Sequence, residues 1–281
     1  MYLRNGSAVV ALGVVLATIL LAIAAPLLPL PDPLKPSFGQ RLLGPLQAGH
    51  VLGTDQLGRD LLSRLVWGAR VSLAVGVFSA LMACAIGSLV GLLAGFLGGA
   101  VDTMLMRVID VMLAFPYVLL AIALVAALGP GLINAMIAIA FVNISFYARN
   151  IRGNVLAVRG QAYIDAARAC GASQWWMLAR HVFPNVVPAL LVVLSLNVGW
   201  MITETAGLSF LGLGAQPPQA DWGAMLGDGR QFITVAYHVA TIPGLAIMAL
   251  VLSLNTIGDT LRDLLDPRIR GRGTAVTASG R

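Results

Sequence analysis

The sequence predicts an all-α integral membrane protein with six transmembrane helices, and three observations predict it. Of 281 residues 58% are apolar, only 11% are charged, and the apolar residues gather into stretches long enough to cross a bilayer. A soluble domain carries roughly 25% charged residues, whereas about 20 consecutive apolar residues cross a hydrocarbon core of roughly 30 Å. Lipid offers no partner to a backbone amide, so spanning segments must close their own hydrogen bonds as helices. The short alternating segments of a barrel are absent.

The first span runs from Ala8 to Leu30. Arg4 and the small-residue site Ala22-Ile23-Ala24 mimic a cleaved leader, but the apolar run exceeds the roughly 7–15 residues of a leader core, so an uncleaved anchor is expected. The second runs from Val71 to Leu97. Within and just after it Ala83, Gly87, Gly91, Gly95 and Gly99 recur every four residues, a small-residue face that lets helix backbones touch, for packing or for sliding. The third, Val111 to Leu128, and the fourth, Leu132 to Tyr147, follow closely, the fourth holding Asn143 and Ser145 near its end. The fifth, Val186 to Leu208, contains Glu204, the only glutamate, with Thr205 beside it. A carboxylate at mid-bilayer costs about 2.5–3.5 kcal/mol, so Glu204 should face a cavity or a partner; lining a passage and bonding within the fold both stay open. The sixth runs from Val239 to Ile257.

Orientation follows from the arginines. Arg149, Arg152, Arg159, Arg168 and Arg180 crowd the segment between spans four and five, and Arg262, Arg268, Arg270, Arg272 and Arg281 follow span six. Positive-inside bias puts both segments and both termini in the cytoplasm. The net charge of +6 suits anionic lipid rather than nucleic acid, since no basic and aromatic platform stands outside the spans. Cys84 and Cys170 are too far apart in this topology to pair and read as structural thiols.

Several chemistries are excluded. The only lysine, Lys35, is not set in a phosphate-binding loop; His50, His181 and His238 are scattered; and no zinc-hydrolase or serine-elbow motif occurs. No metal site and no catalytic residue is expected. A self-sufficient ion-coupled transporter remains as the rival class, disfavoured by a single intramembrane acid and no evident inverted repeat.

Two segments outside the spans carry pattern. From Asp55 onward, Leu57, Leu61, Leu62, Leu65 and Val66 recur at helical spacing with Arg59, Asp60, Ser63 and Arg64 between them, which predicts an interfacial amphipathic helix. It is either a brace or a contact for an external protein. Between spans four and five, Ala162 to Ala169 favours helix, Gly171 can stop it at positive φ, and Ser173 can cap a second short helix ending before Pro184. Such an elbow would leave Ala166 and Ala167 open to a partner's close approach, with Asp165 and Arg168 beside them and Trp175 and Trp176 at headgroup level. The same residues also fit a plain amphipathic connector.

The spacing Asp165-Ala166-Ala167, Gly171, His181, Phe183, Pro184 resembles the coupling loop of permease subunits in binding-protein-dependent ABC importers, with Asp for Glu and with His181 and Phe183 at aliphatic positions. His50 to Asp60 with Gly68-Ala69-Arg70, Glu204 to Gly214 with Trp222-Gly223, and Leu261-Arg262-Asp263 with Leu265 to Arg268 are similar to segments of the C-type permeases of dipeptide, oligopeptide and nickel importers. The resemblance covers about residues 50 to 268. It implies the type I ABC importer permease fold and a place in a bacterial cytoplasmic (inner) membrane. It also implies a B-type second permease, two cytoplasmic ATPases that bind ATP and Mg in place of this chain, and an external solute-binding protein. Peptide is the expected cargo, with nickel complexes, glutathione or opines as alternatives. On this reading residues 1–70 are an anchor and external loop, 71–262 the permease core with its coupling loop at about 149–185, and 263–281 a basic tail. Asp55, Arg59, Asp60, Asp221 and Trp222 are the expected contacts for the binding protein.

Overall fold

The computed structural model describes residues 6–265, and every regular element among them is helical. The expectations on Arg4, Arg268, Arg270, Arg272, Arg281 and the end of the Leu265 to Arg268 motif lie outside the described residues. Five helices are long and apolar enough to cross a membrane, and six if one bent pair counts as a single span.

Helix α1 (Gly6–Ala24) stops short of the expected Leu30 because Pro26 and the prolines after it cannot continue a helix. Helix α2 (Leu61–Leu97) has 37 residues, about 55 Å at 1.5 Å per residue, and absorbs the segment expected to be a separate interfacial helix. Nothing between Leu61 and Val71 breaks it, so a division of the chain at residue 70 falls inside one continuous rod. Asp60 starts it by accepting from the Ser63 amide at 2.9 Å, and Gly98 at φ +69° ends it.

The expected third span, Val111 to Leu128, is not one helix. Helices α3 (Gly99–Leu113) and α4 (Tyr117–Leu128) meet at 89°, because Pro116 disfavours helical geometry at Phe115 and lacks an amide hydrogen. Helix α5 (Leu132–Arg159) runs well beyond the expected Tyr147. Three arginines assigned to the following loop, Arg149, Arg152 and Arg159, therefore sit on it, and two are paired with acids: Arg152 grips Asp102 of α3 through two contacts of 2.6 Å, and Arg149 meets Asp110 at 2.7 Å. After a short α6 (Ala162–Ala169) and α7 (Gln174–Met177), helices α8 (Phe183–Phe210), α9 (Trp222–Gly229) and α10 (His238–Leu265) complete the bundle.

The glycine repeat builds the centre of this bundle. A Cβ on Gly87 would stand 2.6 Å from the Ile144 carbonyl oxygen, one on Gly91 2.5 Å from that of Ala148, and one on Gly95 2.9 Å from the Val155 side chain. Helices α2 and α5 thus touch backbone to backbone along three turns, and Ala83 continues the seam fully buried. Gly99 does not belong to it. It opens α3 at φ +55° with open space around it, so its role is the turn between helices.

At the end of the bundle where α2 begins, charge is internal. Asp55 accepts from the Arg59 Nε at 2.6 Å and stands 3.4 Å from the Arg64 Nε, while Asp60 meets His50 at 3.0 Å. Asp221 caps α9, accepting from the Ala224 amide at 3.0 Å and from the Ser72 hydroxyl at 2.8 Å. Trp222 donates its indole N–H to the Leu65 carbonyl at 2.8 Å and lies on Gly68, where a Cβ would come within 2.9 Å of the ring. The expectation of external contacts is corrected at this point. Asp55, Arg59, Asp60, Asp221 and Trp222 are all buried, and they lock the segment before α2 and the helix α9 onto the bundle.

Candidate functional site

The chain between α5 and α8 forms an elbow. Helix α6 ends in a Schellman turn: the Ala172 amide donates to the Ala167 carbonyl at 3.1 Å and the Gly171 amide to that of Arg168 at 3.0 Å, with Gly171 at φ +83°. Ser173 accepts from the Trp176 amide and caps α7, as its position predicts. Ile164 anchors α6, fully buried among Ile151, Val155, Met177 and Val182. Asp165, Ala166 and Arg168 face outward, with Asp165 and Arg168 paired at 3.1 Å, while Ala167 is half-buried against the apolar cluster that holds Ile164.

The second arm differs from expectation. It does not end before Pro184; α7 passes through a π turn, Leu178–Val182, straight into α8, and the whole run from Gln174 to Phe210 counts as one candidate span. A proline has no amide hydrogen for the carbonyl four residues back, and the wider turn just before it takes up the mismatch: the Phe183 amide reaches back to Leu178. His181 gains its role from the fold. Its ring packs edge-on against Trp176 at 4.8 Å and Tyr163 at 5.9 Å, joining the two arms. Phe183 and Pro184 are exposed, as are Trp175 and Trp176. Cys84 and Cys170 are free, Cys170 on the exposed tip.

Both helices that flank the elbow also wall a groove of about 1090 Å³, with Arg262 of α10 as the one charged lining residue among those described. Asn143, Asn150 and Asn154 of α5 and Asn185 and Asn197 of α8 line it, a concentration of carboxamides that sequence reading missed because the two helices are distant in the chain. The signal available was Asn143, Asn150 and Asn154 recurring on one helical face.

Glu204 stands one helical turn beyond Trp200, the groove residue farthest from the elbow along α8. It is half-buried and near enough to Tyr117 for the two groups to interact, and the Tyr117 ring lies 6.1 Å from that of Trp200. Thr205 does not join it. That hydroxyl is buried and donates to its own helix, at 2.8 Å to the Met201 carbonyl. Among the described residues no cluster of His, Cys, Asp and Glu could hold a metal.

Known proteins are similar to this chain in sequence and in fold. The chain is 48% identical over 227 residues to the glutathione transport system permease protein GsiD of Pectobacterium atrosepticum, covering 81% of this chain and 75% of that one. It is 45% identical over 267 residues to the dipeptide transport system permease protein DppC of Alkalihalophilus pseudofirmus, covering 95% and 88%. To the probable D,D-dipeptide transport system permease protein DdpC of Escherichia coli K12 it is 44% identical over 259 residues, covering 92% and 87%. A chain of the inward-facing MetNI methionine ABC transporter superposes with a TM-score of 0.60 at 19% identity, over 72% of this chain and 96% of that one, which establishes the common fold. Residues 87–271 match the family model of the binding-protein-dependent transport system inner membrane component, and the chain belongs to that family.

Proposed function

We propose that this chain is one permease subunit of an ATP-driven peptide importer, supplying half of the passage and the lever that moves it. The observation that carries the reading is the splice: the second arm of the elbow runs without a break into α8, which with α5 walls the groove. A push on that arm therefore reaches the groove wall through one continuous helical run. Asp165, Ala166 and Arg168 with Phe183 and Pro184 form the surface offered to a cytoplasmic ATPase, while Ala167, Gly171 and His181 hold its shape. ATP and Mg bind to two partner ATPases, and hydrolysis belongs to them.

A B-type second permease completes the passage, and a solute-binding protein delivers cargo at the end opposite the elbow. Glu204 with Tyr117 and Trp200 forms a gate at that side of the groove, with Thr205 holding the helix beneath it. The elbow and both termini face the cytoplasm of a bacterium, the anchor precedes the permease core, and the basic tail follows it. The named dipeptide and glutathione permeases among the relatives favour short peptides, and glutathione is itself a tripeptide.

Purification in mild detergent with its genomic neighbours tests the assembly. Two ATPase subunits per complex, with hydrolysis stimulated by loaded binding protein, are expected; a lone chain that transports against an ion gradient would establish the rival class. Cys170, free on the elbow tip, reports orientation. In sealed right-side-out vesicles an impermeant thiol reagent should leave it unlabelled until the membrane is opened. Labelling from outside would reverse the topology and detach the elbow from any cytoplasmic ATPase.

A further inference from the structure

We infer that the bundle end opposite the elbow carries a cationic socket, which receives an acidic side chain of the solute-binding protein. The inference rests on the reading that such a protein docks at that end. The socket is a cavity of about 300 Å³ with Arg59, Arg64, Asp228 and Arg230 as its charged lining residues. Arg59 and Arg64 are 3% and 2% exposed, whereas Arg230 lies open at the rim. Among the described residues the carboxylates within 4.0 Å of these guanidinium groups are Asp55 and Asp228, so three cations meet two anions. Asp55 is fully engaged inside. One oxygen meets the Nε atoms of Arg59 and Arg64 at 2.6 and 3.4 Å, and the other accepts from the Leu57 and Arg59 amides at 2.8 and 2.9 Å.

Asp228 is 43% exposed and reaches Arg59 only at 4.0 Å. Arg230 rests on a ring in place of an acid: it lies over Phe210 at 5.1 Å, which leaves the N–H edge of its planar group to meet an incoming anion. Desolvated cations short of a counter-charge are unfavourable, and a guanidinium takes a carboxylate through two parallel hydrogen bonds. A third carboxylate therefore completes the cluster. The socket shares no lining residue with the groove between α5 and α8, so an anion held in it stands off the cargo's route. Its surroundings suit a protein partner. Leu211 of the lining is 52% exposed, and the chain that follows Arg230 presents Ile233, Val235 and Tyr237 at 58%, 79% and 66% exposure. Arginine beside exposed aromatic and aliphatic side chains is the composition of an interface centre.

The test measures docking of the binding protein encoded beside this chain to the complete complex in phosphatidylcholine nanodiscs. Arg230→Glu should raise the Kd more than about tenfold. Asp228→Asn should lower it about threefold, because it removes the anion that competes for Arg59. Opposite signs from two neighbouring changes separate electrostatics from damage to the fold, and should Arg230→Glu fail to assemble, the near-isosteric Asp228→Asn carries the test alone. Lys35→Glu makes the same charge change on an exposed residue outside the socket, and at about 0.15 M salt it should alter the Kd less than about twofold. Unchanged docking in the assembled variants, or an equal loss in Lys35→Glu, overturns the inference. So does unchanged docking with uptake of alanyl-alanine falling relative to its amide, which would put the cargo's own carboxylate in the socket. A wild-type complex that never docks the binding protein overturns the importer reading, whereas wild-type docking with unresponsive variants overturns the socket alone.

Discussion

Replacing Gly91 with leucine should abolish accumulation of folded protein. A Cβ at this position would lie 2.5 Å from the Ala148 carbonyl oxygen, 3.0 Å from the Arg152 amide and 3.1 Å from the Ile151 Cβ. Two of these are backbone atoms of α5, which cannot rotate aside as a side chain can. Accommodation requires α2 and α5 to separate, which would open the seam at Gly87 and Gly95 and carry Arg152 away from Asp102. Ordinary overpacking costs about 1–3 kcal/mol, and a rigid backbone clash repeated along a helix pair exceeds it. Gly153→Leu is the matched control, since nothing stands within 4 Å of the Cβ it would add. In detergent size-exclusion profiles the control should retain its monodisperse peak and Gly91→Leu should lose it. A normal peak for Gly91→Leu would mean that α2 and α5 do not pack as described.

That seam was legible in the sequence because a four-residue glycine repeat has one strong physical meaning on an apolar helix. The Schellman stop at Gly171 and the cap at Ser173 were legible for the same reason: each is a local signal satisfied by local bonds. The break at Pro116 was also written there, but the apolar run through Val111 to Leu128 masked it. Asp55, Arg59 and Asp60 were misplaced because polarity near a membrane end suggests exposure, and only the fold reveals that these charges neutralise one another inside. The asparagine groove needed α5 and α8 side by side, information that no single segment holds. Pro184 misled in the opposite direction, since a π turn lets a helix continue past a residue that ordinarily marks its limit.

Ala166→Trp should stop transport while leaving the membrane fold intact. The distinction rests on two adjacent alanines that the sequence treats alike. Ala166 is exposed on α6, whereas Ala167 is half-buried against the Ile164 cluster and its carbonyl closes the Schellman turn, so a tryptophan at 167 would damage the elbow itself. At 166 the side chain is exposed, so the added indole projects outward into the space a docking partner would enter. Uptake should fall more than about tenfold, the effect of a bulky obstruction at the centre of an interface, with an unchanged size-exclusion profile. Gly171→Val attacks the same device from within, because a β-branched residue at φ +83° costs about 1–3 kcal/mol of backbone strain. It should loosen the angle between α6 and α7 and weaken binding-protein-stimulated ATP hydrolysis without displacing α5 or α8. Full uptake in Ala166→Trp would reduce residues 162–184 to a connector and remove the lever from the mechanism.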